Sequence, residues 1–172
     1  MQEKETTNPR DLTDVFNAPD TGRIVAIDIG TKRFGIAVCD ELQFTTRPVR
    51  NIKRFGWKKL LKEISAILEE FDARALVLGL PINSDGTDSE MSLDVRRIAR
   101  NFSLSLKIPV FLQDERVTSF EAKNLLYQQG FNQKEIVQRV DSEAAAIILS
   151  DFLDRKGEKE KRRRGEKSKE SL

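Results

Sequence analysis

An α/β domain, with a mixed β-sheet flanked by helices, is what the order of segments along this chain predicts. Two short runs rich in Val, Ile and Ala, RIVAIDIG and FGIAVCD, stand either side of a glycine-containing turn and suit a β-hairpin. Beyond them, strand-like apolar runs alternate with segments of helical periodicity, the pattern of strand–helix–strand units. The 172 residues, 38% apolar and 34% charged, fit one globular domain with its own core.

Residues 1–22 combine Thr, Asn, Asp and two prolines with few apolar side chains, so a flexible segment is expected before a domain over 23–153. After the hairpin, a third strand is expected around Phe44–Ile52. WKKLLKEISAILEEF then places apolar residues at 57, 60, 61, 64, 67, 68 and 71, one face of a helix, with Trp57 turned to the core. ARALVLGLPI reads as a buried strand and NSDGTDS as a polar loop. EMSLDVRRIARNFSL is helical, opened by Thr87-Asp-Ser-Glu90 with the spacing of a capping box. IPVFLQDER is the next strand, entered through Pro109. Thr118-Ser-Phe-Glu121 is a second capping box, opening a helix that ends near Gly130. A short helix is expected over 133–139. DSEAAAIILSDFL follows as a compact helix, with Asp141 at its start and Ala144, Ala145 and Ala146 permitting close packing. Residues 154–172 hold nine Lys/Arg against five Asp/Glu and read as a charged disordered tail. Its KRRR run is able to attract RNA electrostatically.

Composition narrows the chemistry. Histidine is absent and cysteine occurs once, at Cys39, between apolar neighbours that mark it as a small core residue. These counts remove Ser–His and Cys–His catalysis, HExxH zinc sites, an internal disulfide and cysteine-rich zinc sites. Carboxylates, lysines or an oxygen-held metal remain. No apolar run approaches the ~20 residues of a membrane helix. The polar start MQEKETTNPRDL lacks the apolar stretch of a signal peptide, so a cytoplasmic protein with no membrane contact is expected.

Acids stand where this chemistry needs them. Asp28 interrupts the apolar run IVAIDIG, where an unpartnered carboxylate would be strongly disfavoured. Asp114 and Glu115 end the strand PVFLQ, and Asp141 begins the last helix. Separately, each has an ordinary structural role open to it: a hydrogen bond to a turn, a salt bridge with Arg116, a helix cap. Together, acids at the ends of adjacent elements can meet at one sheet edge and bind a hard divalent cation, Mg2+ or Mn2+. Such ions activate water against a phosphodiester without histidine.

Four segments, DIGTKRFGIAVCD, LVLGLPINSDGT, FLQDERVTSFEA and VDSEAAAIILSDFL, resemble in order and interval the YqgF (RuvX) family of bacterial RNase H-like proteins. That family is called Holliday junction resolvases and linked to 5′-end maturation of precursor small-subunit rRNA. The resemblance covers roughly residues 23–154. It implies an RNase H-like fold and metal-dependent endonuclease activity, with Asp28, Glu115 and Asp141 as the catalytic, metal-binding acids. Lys32, Arg33, Asn83 and Arg116 fall on the family's polar positions. Many RNase H-like nucleases carry an acid at the end of the central strand, where this chain reads Gly79-Leu80-Pro81. The second ligand must therefore come from the DER segment, as Glu115 or as Asp114.

Between Leu42 and Lys62 lie seven basic residues and no acid: Arg47, Arg50, Lys53, Arg54, Lys58, Lys59 and Lys62. Lys58 and Lys59 in a helix's first turn oppose its macrodipole, an arrangement relieved by nearby phosphates. Arg47, Arg50, Lys53 and Arg54 are accordingly expected to contact nucleic acid. The expected partners are precursor 16S rRNA or the assembling small ribosomal subunit, with branched DNA as the alternative. A monomer or weak homodimer is expected. A non-catalytic ribosome-assembly or RNA-binding factor is the reading from a different class. DIGT also resembles the phosphate loop of sugar kinases and actin-like ATPases, but those need a second loop and a longer chain.

Overall fold

The computed structural model describes residues 15–115, 128–130 and 132–170. Five strands, β1 (Ile24–Ile29), β2 (Arg33–Cys39), β3 (Thr46–Lys53), β4 (Ala75–Leu80) and β5 (Val110–Asp114), form one sheet in the order β3-β2-β1-β4-β5. β1 pairs antiparallel with β2, and β2 with β3; β1 and β4, and β4 and β5, run parallel. The hairpin and the strand–helix–strand unit thus meet in β1. Helices α1 (Trp57–Glu70), α2 (Glu90–Ser105) and α3 (Gln133–Glu170) complete the described structure. This is the mixed α/β arrangement, a sheet flanked by helices, expected from the sequence.

β1 and β4 are buried along their whole length, so the alternation of a strand sorts their side chains between two covered faces. Val25, Ile27, Ile29, Leu76, Leu78 and Leu112 pack with Leu60 and Ile64 of α1 and Val95 and Phe102 of α2. Trp57 lies on this side, its ring centroid 5.0 Å from that of Phe102. On the other face Ile24, Ala26, Val77 and Phe111 meet Ile148, Leu149 and Phe152 of α3. There Ala37 packs on Ala145 and Ala146, so small side chains bring α3 close to the sheet. Cys39 is buried in the same layer, and its Sγ accepts a hydrogen bond from Ile24 N at 3.1 Å.

Four expectations about segments change. The cap of α2 is Ser89, not Thr87: Ser89 Oγ accepts from Ser92 N, while Ser92 Oγ accepts from Ser89 N. Thr87 is committed to the preceding loop, where its N–H and hydroxyl both donate to Asp85 Oδ1. Asp141 does not begin a helix. Asn132 and Glu135 cap each other reciprocally, and α3 then runs unbroken through the expected short helix and past Asp141. Residues 154–170, expected to be disordered, continue α3 to Glu170. Lys156 is 8% exposed and donates to Pro19 O at 2.7 Å and to Gln43 Oε1 at 2.9 Å. Residues 15–22, expected to be flexible, include a 3-10 turn at Val15–Asn17, with Val15 buried against the α3 face. The helix expected from Thr118 lies outside the described residues up to 127.

Candidate active site

Parallel strands β1, β4 and β5 end on one edge of the sheet, the edge at which open α/β sheets bind ligands. Three connections gather there: the turn Gly30–Arg33, the loop after Leu80, and Glu115 just beyond β5. The turn is tight because Gly30 N donates to Arg33 O at 2.9 Å, and a Cβ on Gly30 would lie 2.6 Å from that oxygen.

Asp28 is 9% exposed on the α3 face of β1. Its antiparallel partner on β2 is Gly35, and Gly35 in turn faces Asn51 on β3. On its other side β1 and β4 pair through Ile27 and Leu78, so the next residue along β4 is Gly79, itself in register with Gln113 of β5. A row of Asn51, Gly35, Asp28, Gly79 and Gln113 therefore crosses the sheet beneath α3. Glycines flank the acid on both sides and leave room above the sheet for other groups.

The room beside Asp28 is taken by Glu115. Its backbone N–H donates to Leu80 O at 3.2 Å, and its carboxylate reaches back over β4 to hydrogen-bond with Asp28. Burial, the Asp28 charge, that hydrogen bond and the Asp114 charge push the Glu115 carboxyl up to about 9. The pair therefore holds a proton at neutral pH. Glu115 Oε2 is buried and has no hydrogen-bond partner among the described residues. Strand alternation turns Asp114 to the opposite face, so Glu115 is the acid brought against Asp28.

Two close carboxylates, one with a buried oxygen that no described residue partners, fit a divalent cation with oxygen preference, since a cation would replace the proton between them. Among the described residues no third acid or cysteine joins them in a ligand cluster. Asp141 occupies α3 four residues before Ala145 and seven before Ile148, which places its position on the sheet-facing stripe. Its side chain, and all of Arg116, lie outside the described residues.

The basic and polar residues divide. Lys32 and Lys53 are exposed, and Lys53 is the register partner of Arg33, so all three lie at the Asp28 edge. Arg50 pairs with Glu70, and Arg47 lies over the Phe71 ring at 5.5 Å. Arg54 is built into the structure: it pairs with Asp94, donates to Gly30 O at 3.2 Å, and lies over Phe34. Asn83 donates to Thr87 Oγ1 at 3.0 Å and organises the loop after β4. Sequence reasoning passed over Asn51 and Gln113, the two ends of the polar row. Gln113 Oε1 is buried without a hydrogen-bond partner among the described residues. For Gln113 the signal was a polar residue inside an otherwise apolar strand, the same one that marked Asp28; Asn51 lies in the polar strand β3 and had no such signal.

Comparison with known proteins places these residues in context. The sequence model of a family described as "RuvX: Holliday junction resolvase" matches residues 22–155. A protein of Anaeromyxobacter sp. (strain Fw109-5), named "Putative pre-16S rRNA nuclease", is 37% identical over 132 residues, 77% of this chain and 96% of that protein. A protein of the same name from Pelagibacter ubique (strain HTCC1062) is 33% identical over 77% of this chain and 87% of its own length. Among solved structures, the Thermus thermophilus RuvC complex with a Holliday junction substrate superposes with a TM-score of 0.49 at 14% identity, covering 79% of this chain and 96% of that one. The fowlpox virus Holliday junction resolvase gives 0.48 at 14% identity, over 77% and 98%. No helix among the described residues is long and apolar enough to cross a membrane.

Proposed function

The chain belongs to the RuvX family, and from that premise we propose that it is a cytoplasmic endonuclease hydrolysing phosphodiesters at the 5′ end of precursor 16S rRNA. The observation that supports this reading best is the buried Asp28–Glu115 pair at the strand-end edge, where Glu115 Oε2 has no hydrogen-bond partner among the described residues. Asp28 and Glu115 would hold Mg2+ or Mn2+, with Asp141 as the third acid. A cation of that class supplies activation of water and charge stabilisation at the leaving oxygen.

The protein's own groups do the rest. β1 holds the Asp28 carboxylate on a rigid strand paired on both sides, so it needs no reorganisation when phosphate arrives. Lys32, Arg33 and Lys53 bring positive charge to the same edge and attract the phosphate backbone regardless of sequence. Arg54 acts on the backbone of the turn, fixing Gly30 O and, through its own N–H, Lys32 O at 3.0 Å.

The family description favours a second substrate, a four-way DNA junction. A cleavage assay offers precursor rRNA and a four-way junction to the purified chain, with Mg2+, with Mn2+ and with chelator. Metal-dependent cutting of the RNA, lost in Asp28→Asn, Glu115→Gln and Asp141→Asn, is the expected result. Full cleavage by Asp28→Asn would overturn the assignment, and cutting confined to the junction would move it to DNA.

A further inference from the structure

Asp28 and Glu115 belong to elements that are not neighbours. β4 lies between β1 and β5, and two strand spacings amount to about 9.6 Å. For the carboxylates to meet, Glu115 must cross the α3 face of β4 at the level of residue 79. Any side chain projecting from that position would stand in its path.

The position is glycine. A Cβ on Gly79 would lie 2.5 Å from Glu115 Oε2, 2.9 Å from its Cδ and 2.5 Å from Ile148 Cδ1 of α3. Real Cβ atoms do not approach heavy atoms this closely, so the Glu115 carboxylate and the tip of the Ile148 side chain would have to move. Glu115 cannot retreat as a whole, because its N–H is bound to Leu80 O. The backbone of Gly79 is not in the left-handed region that would itself demand glycine. The missing side chain is therefore explained by what lies above it.

We propose that Gly79 is a positioning residue: its bare backbone is the seat on which the Glu115 carboxylate rests, so that an acid from beyond β5 is delivered across β4 to Asp28. The seat explains how a chain without an acid on β4 assembles a two-carboxylate site. Metal binding through these acids rests on the function proposed above; the seat itself does not.

The test separates the seat from simple crowding of α3. Gly79→Ala alone touches both Glu115 and Ile148. Gly79→Ala with Ile148→Val removes the Cδ1 collision and leaves the carboxylate collision. In chelator, the melting temperatures of Asp28→Asn, Glu115→Gln and the double variant form a cycle whose non-additivity reports contact between the two acids. Non-additivity is expected in the wild-type background and absent in the Gly79→Ala/Ile148→Val background. Its persistence there would overturn the seat. A second readout is the rise in melting temperature on adding Mn2+, which should need about 10–100-fold more metal in Gly79→Ala/Ile148→Val than in the wild type. No response to metal in the wild type would sink the metal reading while the cycle still decides the seat. Gly79→Asp with Glu115→Ala and Ile148→Val places a carboxylate directly on the seat without the Cδ1 collision and should regain a metal response that Glu115→Ala/Ile148→Val lacks. Failure to regain it in a folded variant would count against the seat.

Discussion

Glu115 owes its high ionisation range to neighbours that all act in one direction, burial first and the Asp28 carboxylate next. An acid raised from 4.5 to about 9 binds its proton more tightly folded than unfolded. Its contribution to stability is thus complete below the unfolded value and is lost as pH climbs toward the folded one. Metal-free protein should accordingly lose melting temperature between about pH 5 and pH 9, and Glu115→Gln should remove that part of the slope. Thermal melts of both proteins across the range check this, and parallel curves would contradict the buried pair. Asp28→Asn removes the charge that is the second cause of the shift, so it should move the remaining slope to lower pH.

At the scale of elements, α3 does two jobs. Around Ala145, Ile148 and Phe152 it roofs the face that carries Asp28 and Gly79. One turn beyond Phe152, Lys156 ties the helix to the opposite end of the sheet. Gln43, in the left-handed region at φ 61, donates its amide to Pro19 O and Gly22 O, and its Oε1 accepts from Lys156. Lys156→Met keeps the aliphatic stem and removes the donor, leaving acceptors without their bond at a cost of about 1–3 kcal/mol. Urea unfolding should show that loss; an unchanged midpoint would mean that α3 docks through its apolar face alone. The sequence carries no local sign of this junction. Low complexity and high charge describe a segment unable to build a core, yet one lysine of that segment is ordered by oxygens from Pro19 and Gln43, distant in sequence.

For the whole molecule, the basic run between Leu42 and Lys62 is not one surface. Arg50 and Arg54 are in ion pairs, Arg47 rests on an aromatic ring, and Lys53 is exposed at the site edge beside Arg33. Charge count along the chain therefore overstates the cationic groups at the site. Lys32→Glu with Lys53→Glu should weaken RNA binding and reduce the slope of log K against log salt by about 1 for each phosphate no longer neutralised. Arg54→Ala should act instead through stability, since it releases the turn, Asp94 and Phe34 together. Binding titrations at several salt concentrations separate the two, and an unchanged slope in the lysine variant would move the nucleic-acid path elsewhere.

Short apolar runs and helical periodicity determined the class of fold, the strands β1, β2, β4 and β5 and the helices α1 and α2, because both are written in consecutive residues; the polar β3 carried only a faint signal. The absence of histidine likewise restricts the chemistry to carboxylates, lysines or an oxygen-held metal on composition alone, and the acid inside β1 points to the first. Where the local pattern Thr87-x-x-Glu90 proposed a cap, the structure used Ser89 instead, because Thr87 was already bonded to Asp85. Which of Asp114 and Glu115 faces Asp28, and why β4 carries glycine at 79, depended on strand order. Pairing across residues far apart in the chain puts β4 between the two acids, and only then does the missing side chain at Gly79 become the path by which they meet.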